Sequence, residues 1–190
     1  INSDRDFVES YEKDWSNISG FADVVSRPID AQQSATLLYL FSKKNIPITI
    51  SAGKTNLTGS ATPKEGLVIN TELMLSPKVE IDLNQKTAKV SVGEILENVR
   101  DEILHQSNNK FYYPVDPTSR KDARIGGTIS CNASGFIPGE KGATRFWVES
   151  LSVILLSGRL IHAKRGQYTS KNGTFIIDGD EVPLPNYTRP

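Results

Sequence analysis

The chain has 190 residues, with 22 acidic and 22 basic side chains and a formal net charge of zero. This balance argues against a protein that wraps nucleic acid, because such proteins usually carry a basic face or tail. The sequence has no run of about 20 apolar residues that would span a membrane, and its single cysteine, Cys131, excludes an internal disulfide framework. We expect a globular piece of a cytoplasmic protein, and leave open whether the full-length protein is peripheral to a membrane.

The first half of the chain alternates predicted helices and strands. Apolar residues at helical spacing predict a short helix within residues 3–15. A second helix begins at Asp30, with Gln33 three positions on as in a capping box. Short β-branched runs at 48–50 and 67–69 predict buried strands. A glycine-containing loop connects these two strands.

The second half of the chain is dominated by predicted hairpins. Alternating apolar residues over 79–92, with a polar turn at 84–86, predict a hairpin with one buried face. A helix follows over 93–105. An apolar strand over 147–156 then turns at 157–158 into a second hairpin. This mixture predicts an α+β fold with two small lobes.

The two ends predict that the chain is an excised domain. It begins with Ile1 rather than Met, and its proline-spaced stretch from Glu181 to Pro190 is typical of a linker without regular structure. We therefore expect a helical lead-in over residues 1–23, a main domain over 24–165, and a tail over 166–190 that leads toward a C-terminal region.

The first segment that carries chemistry is the loop from Ser51 to Ser60, which directly follows a strand. Small side chains let the backbone approach a bulky anion, and consecutive free N–H groups form an anion-binding nest. The hydroxyl groups of Thr55, Thr58 and Ser60 would add donors. The loop lacks the upstream glycine of a Walker loop and the dinucleotide fingerprint Gly-x-Gly-x-x-Gly. An ordinary connection between strands remains the alternative.

The second segment runs from Tyr113 to Ser119 and continues from Ala123 to Gly135. Prolines on both sides of Asp116 stiffen its entry. The pair Gly126-Gly127 permits close packing or close approach of a ligand, and the run after it could start a helix aimed at an anion. A rigid loop followed by a tight turn is the alternative.

In order and spacing, the two segments together resemble the FAD-binding (PCMH-type) domain of the FAD-linked oxidases, of the glycolate oxidase and D-lactate dehydrogenase type. The resemblance spans roughly residues 24–162 and includes a third match at Gly142-Ala143-Thr144-Arg145. The chain departs from the family pattern at Ser51, Lys54, Ser60 and Phe146. The matching residues of the two segments are Ala52, Thr55, Asn56, Leu57, Thr58 and Gly59, then Pro114, Asp116, Pro117, Ser119, Ala123, Ile125, Gly126, Gly127, Asn132, Ala133 and Gly135.

This resemblance implies a two-lobed fold, with one lobe built on a small mixed sheet and the other on an antiparallel sheet with helices. FAD would lie in the groove between the lobes. The first loop would cradle the pyrophosphate, the run 123–135 would close over it, and Pro117 and Ser119 would wall the flavin end. The implied cofactor-binding residues are Ala52, Gly53, Lys54, Thr55, Asn56, Thr58, Gly59, Ser60, Pro117, Ser119, Ala123, Gly126, Gly127, Thr128, Asn132 and Gly135.

The family's chemistry is hydride transfer from a 2-hydroxy acid, such as lactate or glycolate, to the flavin. The resemblance therefore implies FAD, a small-molecule substrate and a C-terminal substrate domain as partners. Catalytic groups of the family usually lie beyond this chain, so we name no catalytic or metal-binding residue and expect the chain alone to be inactive. The alternatives are a non-catalytic FAD or nucleotide-binding module and a MurB-like, NADPH-dependent reductase.

Some relatives attach FAD covalently through a histidine of the first loop. The two histidines here, His105 and His162, lie in a predicted helix and a predicted strand. We therefore predict non-covalent FAD. Cys131 lies inside the second segment, where it either lines the groove or, as we expect, packs as a small buried residue.

Overall fold

The computed structural model describes residues 1–177 and 179–184, which form an α/β arrangement of short elements. The helices are α1 (Arg5–Glu9), α2 (Ala31–Lys43), α3 (Leu96–Gln106), α4 (Ile125–Ser130) and α5 (Thr144–Trp147), with a 3-10 turn at Glu140–Gly142. The strands are β1 (Val24–Ser26), β2 (Ile48–Ser51), β3 (Leu67–Asn70), β4 (Val79–Asp82), β5 (Thr87–Val90), β6 (Ser150–Ile154), β7 (Leu160–Lys164), β8 (Thr174–Ile177) and β9 (Asp180–Pro183).

A three-stranded sheet with the order β1-β3-β2 organises the first half of the chain. Its central strand, β3, is buried on both faces, and a parallel strand buried in this way reads as a continuous apolar run. Val68 packs with Val8, Tyr11 and other residues on one face, while Leu67 and Ile69 pack with Leu38 on the other. Helices α1 and α2 therefore cover opposite faces of the sheet.

This sheet differs from the predicted mixed sheet. Its three strands are parallel, and among the described residues its antiparallel pairing is limited to the bridge between Asn2 and Val25. The predicted antiparallel sheet is likewise divided into three separate two-stranded hairpins, β4–β5, β6–β7 and β8–β9. Helix α2 lies in the connection between β1 and β2 and brings the chain back to the end of the sheet where β1 starts. Strands β1 and β2 therefore run in the same direction, on either side of β3.

Helix α2 starts where its capping residues predict. The Asp30 carboxylate accepts a hydrogen bond from the backbone N–H of Gln33 at 2.7 Å. The Gln33 side chain in turn accepts the N–H of Ile29 at 3.1 Å, one residue earlier than in a standard capping box. The helix thus begins with one of its free N–H groups, that of Gln33, satisfied, and with the N–H of the preceding residue Ile29 bonded to the Gln33 side chain.

A third apolar cluster joins the β4–β5 hairpin to α3 and α4. Leu96, Val99 and Ile125 form its buried centre, and Val79 and Val90, which face each other in the hairpin, pack against it. The predicted hairpin over 79–92 and the predicted helix over 93–105 are both confirmed, with slightly shifted ends.

Two predictions about regular structure are wrong. Trp147 ends α5 instead of starting a strand, because its indole N–H donates to the Lys141 carbonyl at 2.8 Å and closes a local turn. Strand β6 begins only at Ser150. The linker predicted from Glu181 pairs as far as Pro183 in strand β9, where a proline at a strand end is tolerated. Residues 178 and 185–190 of the predicted tail lie outside the described residues.

Candidate functional site

The two segments singled out in the sequence meet at a cavity of about 320 Å³. Thr55 comes from the first segment, and Pro117, Ser119 and Gly135 come from the second. Strand β2 positions the first segment, while α3 and α4 hold the second. The structure therefore brings four of the sixteen predicted residues together at one opening, although the two segments are more than 50 residues apart in sequence.

Three large apolar side chains also line this cavity. Trp15, Leu57 and Phe136 are 48%, 72% and 71% exposed. Apolar side chains of this size that converge on one opening are typical of a ligand site or an interface. The cavity is thus polar on the side of the threonine and serine residues and apolar at its mouth.

The first loop presents backbone donors. Within residues 1–177 and 179–184, the N–H groups from Gly53 to Leu57 have no hydrogen-bond acceptor. Lys54 has a positive φ of 54°, and a residue in this conformation turns successive N–H groups toward one point. The free N–H groups and the left-handed conformation of Lys54 are compatible with the anion-binding nest that the small residues predict, and the nest stays a prediction.

Asn56 organises this loop from within. Its side-chain oxygen accepts the Thr58 N–H at 2.7 Å, the Thr58 hydroxyl at 3.0 Å and the Ser60 N–H at 3.2 Å. Thr58 and Ser60, which the sequence predicts as ligand donors, thus use these groups to shape the loop. Among the described residues, free backbone donors remain in the part of the loop that precedes Thr58 and at Gly59.

The side chain of Lys54 turns away from the cavity. Its ammonium group donates to the Ser10 carbonyl at 2.6 Å and lies 4.4 Å from the centre of the Tyr11 ring. Burial lowers the pKa of Lys54, against a smaller opposing effect of Glu72. Lys54 can therefore contribute its backbone to the nest, while its side chain fastens the loop to the N-terminal segment.

Gly53 and Gly135 each lie where another stretch of backbone passes at very short distance. A Cβ atom on Gly53 would lie 2.1 Å from the Asp122 carbonyl oxygen, and one on Gly135 would lie 1.9 Å from the Asp116 carbonyl oxygen. Real Cβ atoms do not approach backbone this closely. These two predicted residues thus serve close packing of the cavity walls, whatever else they contact.

Helix α4 turns Gly127 toward the first loop. A Cβ atom on Gly127 would meet only the Ala52 Cβ, at 3.7 Å, which is an ordinary contact. The Gly127 N–H has no acceptor in the part of the chain that the structure describes. Among the predicted residues, Ala52 and Gly127 thus border a space between loop and helix that a side chain would fill.

Three other predicted residues face inward and hold α4 in place. The Ala123 N–H donates to the Ser119 carbonyl at 2.8 Å, and the Gly126 N–H donates to the Val92 carbonyl at 2.8 Å. The hydroxyl of Thr128 is buried and donates to the Ile125 carbonyl at 2.9 Å. Sequence reasoning treats these as ligand contacts because it cannot tell which way a side chain points.

Cys131 and Asn132 directly follow α4 in the second segment. Asn132 has a φ of 47°, and its side-chain oxygen accepts the Arg145 N–H at 2.9 Å, which ties α4 to α5. Cys131 is exposed, so the expectation of a small buried residue is wrong. Its sulfur lies 3.6 Å from the Asn56 side-chain nitrogen and thus beside the first loop.

A cluster of two carboxylates and two guanidinium groups holds the second segment at Asp116. Asp116 accepts from Arg100 and from Arg120, each at 3.1 Å. Glu97 of α3 pairs with the same two arginines at 3.4 and 2.9 Å. The carboxylate of the Pro-x-Asp-Pro motif is therefore held between two guanidinium groups, which fixes the position of this loop.

Sequence reasoning missed the N-terminal segment as part of the site. Asp14 is buried, and its carboxylate accepts the Ser16 N–H at 2.9 Å and the Ala61 N–H at 3.3 Å. The Trp15 N–H donates to the Lys54 carbonyl at 3.0 Å. The spacing of Asp14 and Ser16 is an Asx-turn signal, but nothing local indicates Ala61 as the second partner.

We expect Asp14→Ala to destabilise the protein by about 1–3 kcal/mol, because it leaves the buried Ala61 N–H without an acceptor. Burial by itself raises the pKa of Asp14, but the hydrogen bonds from Ser16 and Ala61 outweigh it, so its pKa lies below the ordinary value. The charged form is thus the stabilising one. Its contribution is complete above the unfolded pKa of about 4 and is lost as the pH falls through the folded value.

Urea unfolding of parent and variant between pH 7 and pH 2 measures this effect. The difference in unfolding free energy should shrink on the acid side. Asp14→Asn, which keeps a side-chain oxygen but no charge, is the matched control and should lie between the two. A difference independent of pH would show that the charge of Asp14 does not contribute.

A second, larger cavity of about 520 Å³ lies between α3 and the segment that enters β4. None of the sixteen residues predicted to bind the cofactor lines this cavity. Its lining includes Glu94, Asp101, His105 and Arg124. The described residues contain no group of three or more side chains that could hold a metal ion. We therefore place the candidate site at the smaller cavity, where the unpaired backbone donors are.

Comparison with known proteins shows the family to which the chain belongs. The sequence model of a family described as "FAD binding domain" matches residues 22–164. D-lactate dehydrogenase from Archaeoglobus fulgidus is 31% identical over 172 residues, which are 87% of this chain and 37% of that protein. The glycolate oxidase subunit GlcD of Bacillus subtilis is 32% identical over 139 residues, which are 73% of this chain and 29% of that protein.

A solved structure shows the same fold at low sequence identity. Glucooligosaccharide oxidase from Acremonium strictum, whose FAD is 6-S-cysteinyl and 8α-N1-histidyl, superposes with a TM-score of 0.69 and 18% identity. The match covers 87% of this chain and 34% of that one. The chain thus spans about a third of the length of the proteins that it matches.

No helix in the described residues is both long and apolar enough to cross a bilayer.

Proposed function

This chain belongs to the FAD-binding domain family, and from that premise we propose that it binds FAD for a longer oxidoreductase that oxidises a 2-hydroxy acid such as lactate or glycolate. The two relatives named above support the substrate class, since both are enzymes of this kind by name. The observation that carries the proposal is the cavity where both segments meet beside the unpaired N–H groups of the first loop.

The loop fits the phosphate part of FAD. A pyrophosphate carries two negative charges, and a nest of backbone N–H groups binds such an anion without a cationic side chain. The chain has no excess of positive charge, and the one lysine of the loop is turned away from the cavity. The N–H groups from Gly53 to Leu57, with Gly127 across from them, are the donors that would hold the phosphates.

The apolar clusters support a groove between two lobes. Two clusters cover the faces of the β1-β3-β2 sheet, and the third joins α3, α4 and the β4–β5 hairpin. The first loop leaves the sheet, whereas residues 116–135 belong with the third cluster. A cavity lined by Thr55 and Leu57 of the first loop and by residues 117–119 and 134–136 supports a groove between two such lobes, along which FAD would bind.

Bound FAD would supply the hydride acceptor, while this chain's residues bind and orient it. Leu57 and Phe136 would shield the cavity from water, since their apolar side chains stand at its mouth. The Asp116 carboxylate is paired with Arg100 and Arg120, and it is not among the residues that line the cavity. The group that removes the substrate's hydroxyl proton would then come from the rest of the longer protein.

The histidine positions support non-covalent binding. His105 lies on α3 and lines the larger cavity. His162 lies on β7, and its Nδ1 atom is 2.8 Å from the Ser152 hydroxyl. Neither histidine lines the cavity at the first loop. Cys131 is close to this loop, so a cysteine bond to the flavin is the outcome that an experiment must distinguish.

The visible absorption spectrum of the purified protein, before and after addition of FAD and desalting, tests the proposal. We expect flavin bands that remain after desalting and that separate from the protein as free FAD on denaturation. Bands that stay with the denatured protein would contradict non-covalent binding, and Cys131→Ser would then show whether Cys131 forms the bond. Failure to retain flavin, both in this chain and in one extended beyond Pro190, would overturn the proposal.

Reduction of the bound flavin separates the proposed substrate class from the alternatives. In the extended protein, D-lactate or glycolate should bleach the flavin band under anaerobic conditions. Bleaching by NADPH alone would favour the MurB-like reductase. A stable flavin that none of these compounds reduces would favour a non-catalytic FAD-binding module.

A further inference from the structure

We infer that Trp15, which precedes the residues matched by the family, binds a planar aromatic ring of the nucleotide in the cavity. This inference rests on the proposed function, because it concerns the same ligand. It assigns a role to the N-terminal segment, which the sequence presents only as a helical lead-in. The ring would be the isoalloxazine or the adenine of FAD, and both have the chemistry that an indole face recognises.

The position of Trp15 relative to the first loop is fixed by three contacts. Its own N–H donates to the Lys54 carbonyl at 3.0 Å. Asp14, one residue before it, accepts the Ala61 N–H at 3.3 Å. The Lys54 ammonium group reaches back to the Ser10 carbonyl at 2.6 Å. The indole is therefore carried by a backbone that is fastened to the first loop at Lys54 and to Ala61, the residue directly after that loop.

The indole is left without the partners that a structural tryptophan has. It is 48% exposed, and within residues 1–177 and 179–184 its Nε1 group has no acceptor. Trp147 shows the contrast, since its Nε1 donates to the Lys141 carbonyl and its ring packs against Tyr113 and Phe146. An exposed, unpaired tryptophan at the mouth of a cavity has apolar surface that a ligand can cover.

The surroundings of Trp15 match a ligand that is anionic at one end and planar at the other. Free N–H groups lie along the loop from Gly53, while Leu57 and Phe136 stand beside the indole. The hydroxyl-bearing residues Thr118 and Ser119 line the same cavity and could meet ring nitrogen or oxygen atoms. A phosphate-linked aromatic ring fits this combination, whereas a simple inorganic anion would leave the apolar half uncovered.

Dissociation constants for FAD, measured on the parent protein and three variants, test the inference. Trp15→Leu should weaken binding about tenfold, because stacking on one aromatic face has roughly that effect on affinity. Trp15→Phe, which keeps a smaller ring, should weaken it less. Trp147→Phe is the matched control, since it removes an indole outside the cavity, and it should bind FAD as the parent does.

Fluorescence with FMN and with ADP distinguishes the two rings. Indole in direct contact quenches flavin emission, so the emission of bound FMN should rise in Trp15→Phe if the isoalloxazine is the partner. If adenine is the partner, ADP should change the tryptophan emission of the parent protein but leave that of Trp15→Phe unchanged. Either result supports the inference and assigns the ring.

Equal FAD affinity in parent, Trp15→Leu and Trp15→Phe, with no fluorescence response to either nucleotide, would overturn the inference and leave the proposed function intact. A parent protein that binds neither FAD, FMN nor ADP would overturn both. If Trp15→Leu does not fold, as judged by circular dichroism, the comparison of Trp15→Phe with Trp147→Phe still decides the question.

Discussion

Alanine in place of Gly135 should destabilise the protein by more than about 3 kcal/mol. The new Cβ atom would lie 1.9 Å from the oxygen and 2.0 Å from the carbon of the Asp116 carbonyl, and 2.5 Å from the Pro117 nitrogen. All three atoms belong to the backbone, so no side chain can rotate to make room. The segment 116–117 would have to move, which would disturb the ion cluster that holds Asp116.

Chemical denaturation, followed by circular dichroism, measures this loss. Gly139→Ala is the matched control, because Gly139 has a φ of 79° and a Cβ atom added there would have no atom within 4 Å. That variant carries backbone strain of about 1–3 kcal/mol, because Gly139 has a φ of 79° and a ψ of −170°, but it has no steric clash. If Gly135→Ala unfolds at the same denaturant concentration as Gly139→Ala, the close crossing at Asp116 is not a strong constraint on the fold.

The second large effect concerns substitutions of Gly127, which should raise the stability of the fold but weaken the binding of FAD. Gly127 lies inside α4, and a Cβ atom there would meet only the Ala52 Cβ at 3.7 Å. Gly127→Ala should therefore raise the unfolding free energy by about 0.5–1 kcal/mol, because alanine has the higher helix propensity. Gly127→Leu should also fold, since leucine is a good helix former.

Binding of FAD should be weakened moderately by Gly127→Ala and at least a hundredfold by Gly127→Leu. The leucine side chain would fill the space between α4 and the first loop, where the proposed phosphate donors lie. Equilibrium dialysis with FAD gives the dissociation constants, and the unfolding curve of each variant provides the control for folding. A Gly127→Leu protein that binds FAD as tightly as the parent would move the phosphate site away from α4.

Much of the fold is predictable from local patterns. The apolar run of β3 and the capping residue Asp30 identify their elements because each signal reflects burial or a bond within four residues. The hairpin that begins at Val79 is predictable from its alternation for the same reason. The parallel order of the sheet is not, since β1 is only three residues long and the connection from β2 to β3 contains no helix that would indicate a crossover.

The sequence predicts which segments form the candidate site, but it does not predict the directions in which their side chains point. Small residues mark where the backbone passes close to other groups: Gly53 lies against the Asp122 carbonyl, and Gly127 faces Ala52. The inward turn of Thr128 and the outward turn of Lys54 depend on partners that sequence position does not reveal. Lys54 finds Ser10 across 44 residues, and no periodicity or motif connects the two.

The fastening of the first loop by the N-terminal segment has a consequence for the order in which the site forms during synthesis. When the ribosome has released Ala61, the partners Ser10 and Asp14 have already emerged, so one half of the loop's anchoring can form early. The Asp122 backbone, which packs against Gly53, emerges roughly 60 residues after Ala61, which takes several seconds at roughly 5–20 residues per second. The nest is thus expected to spend those seconds held on one side only, and a cofactor that needs both walls can bind only after that interval.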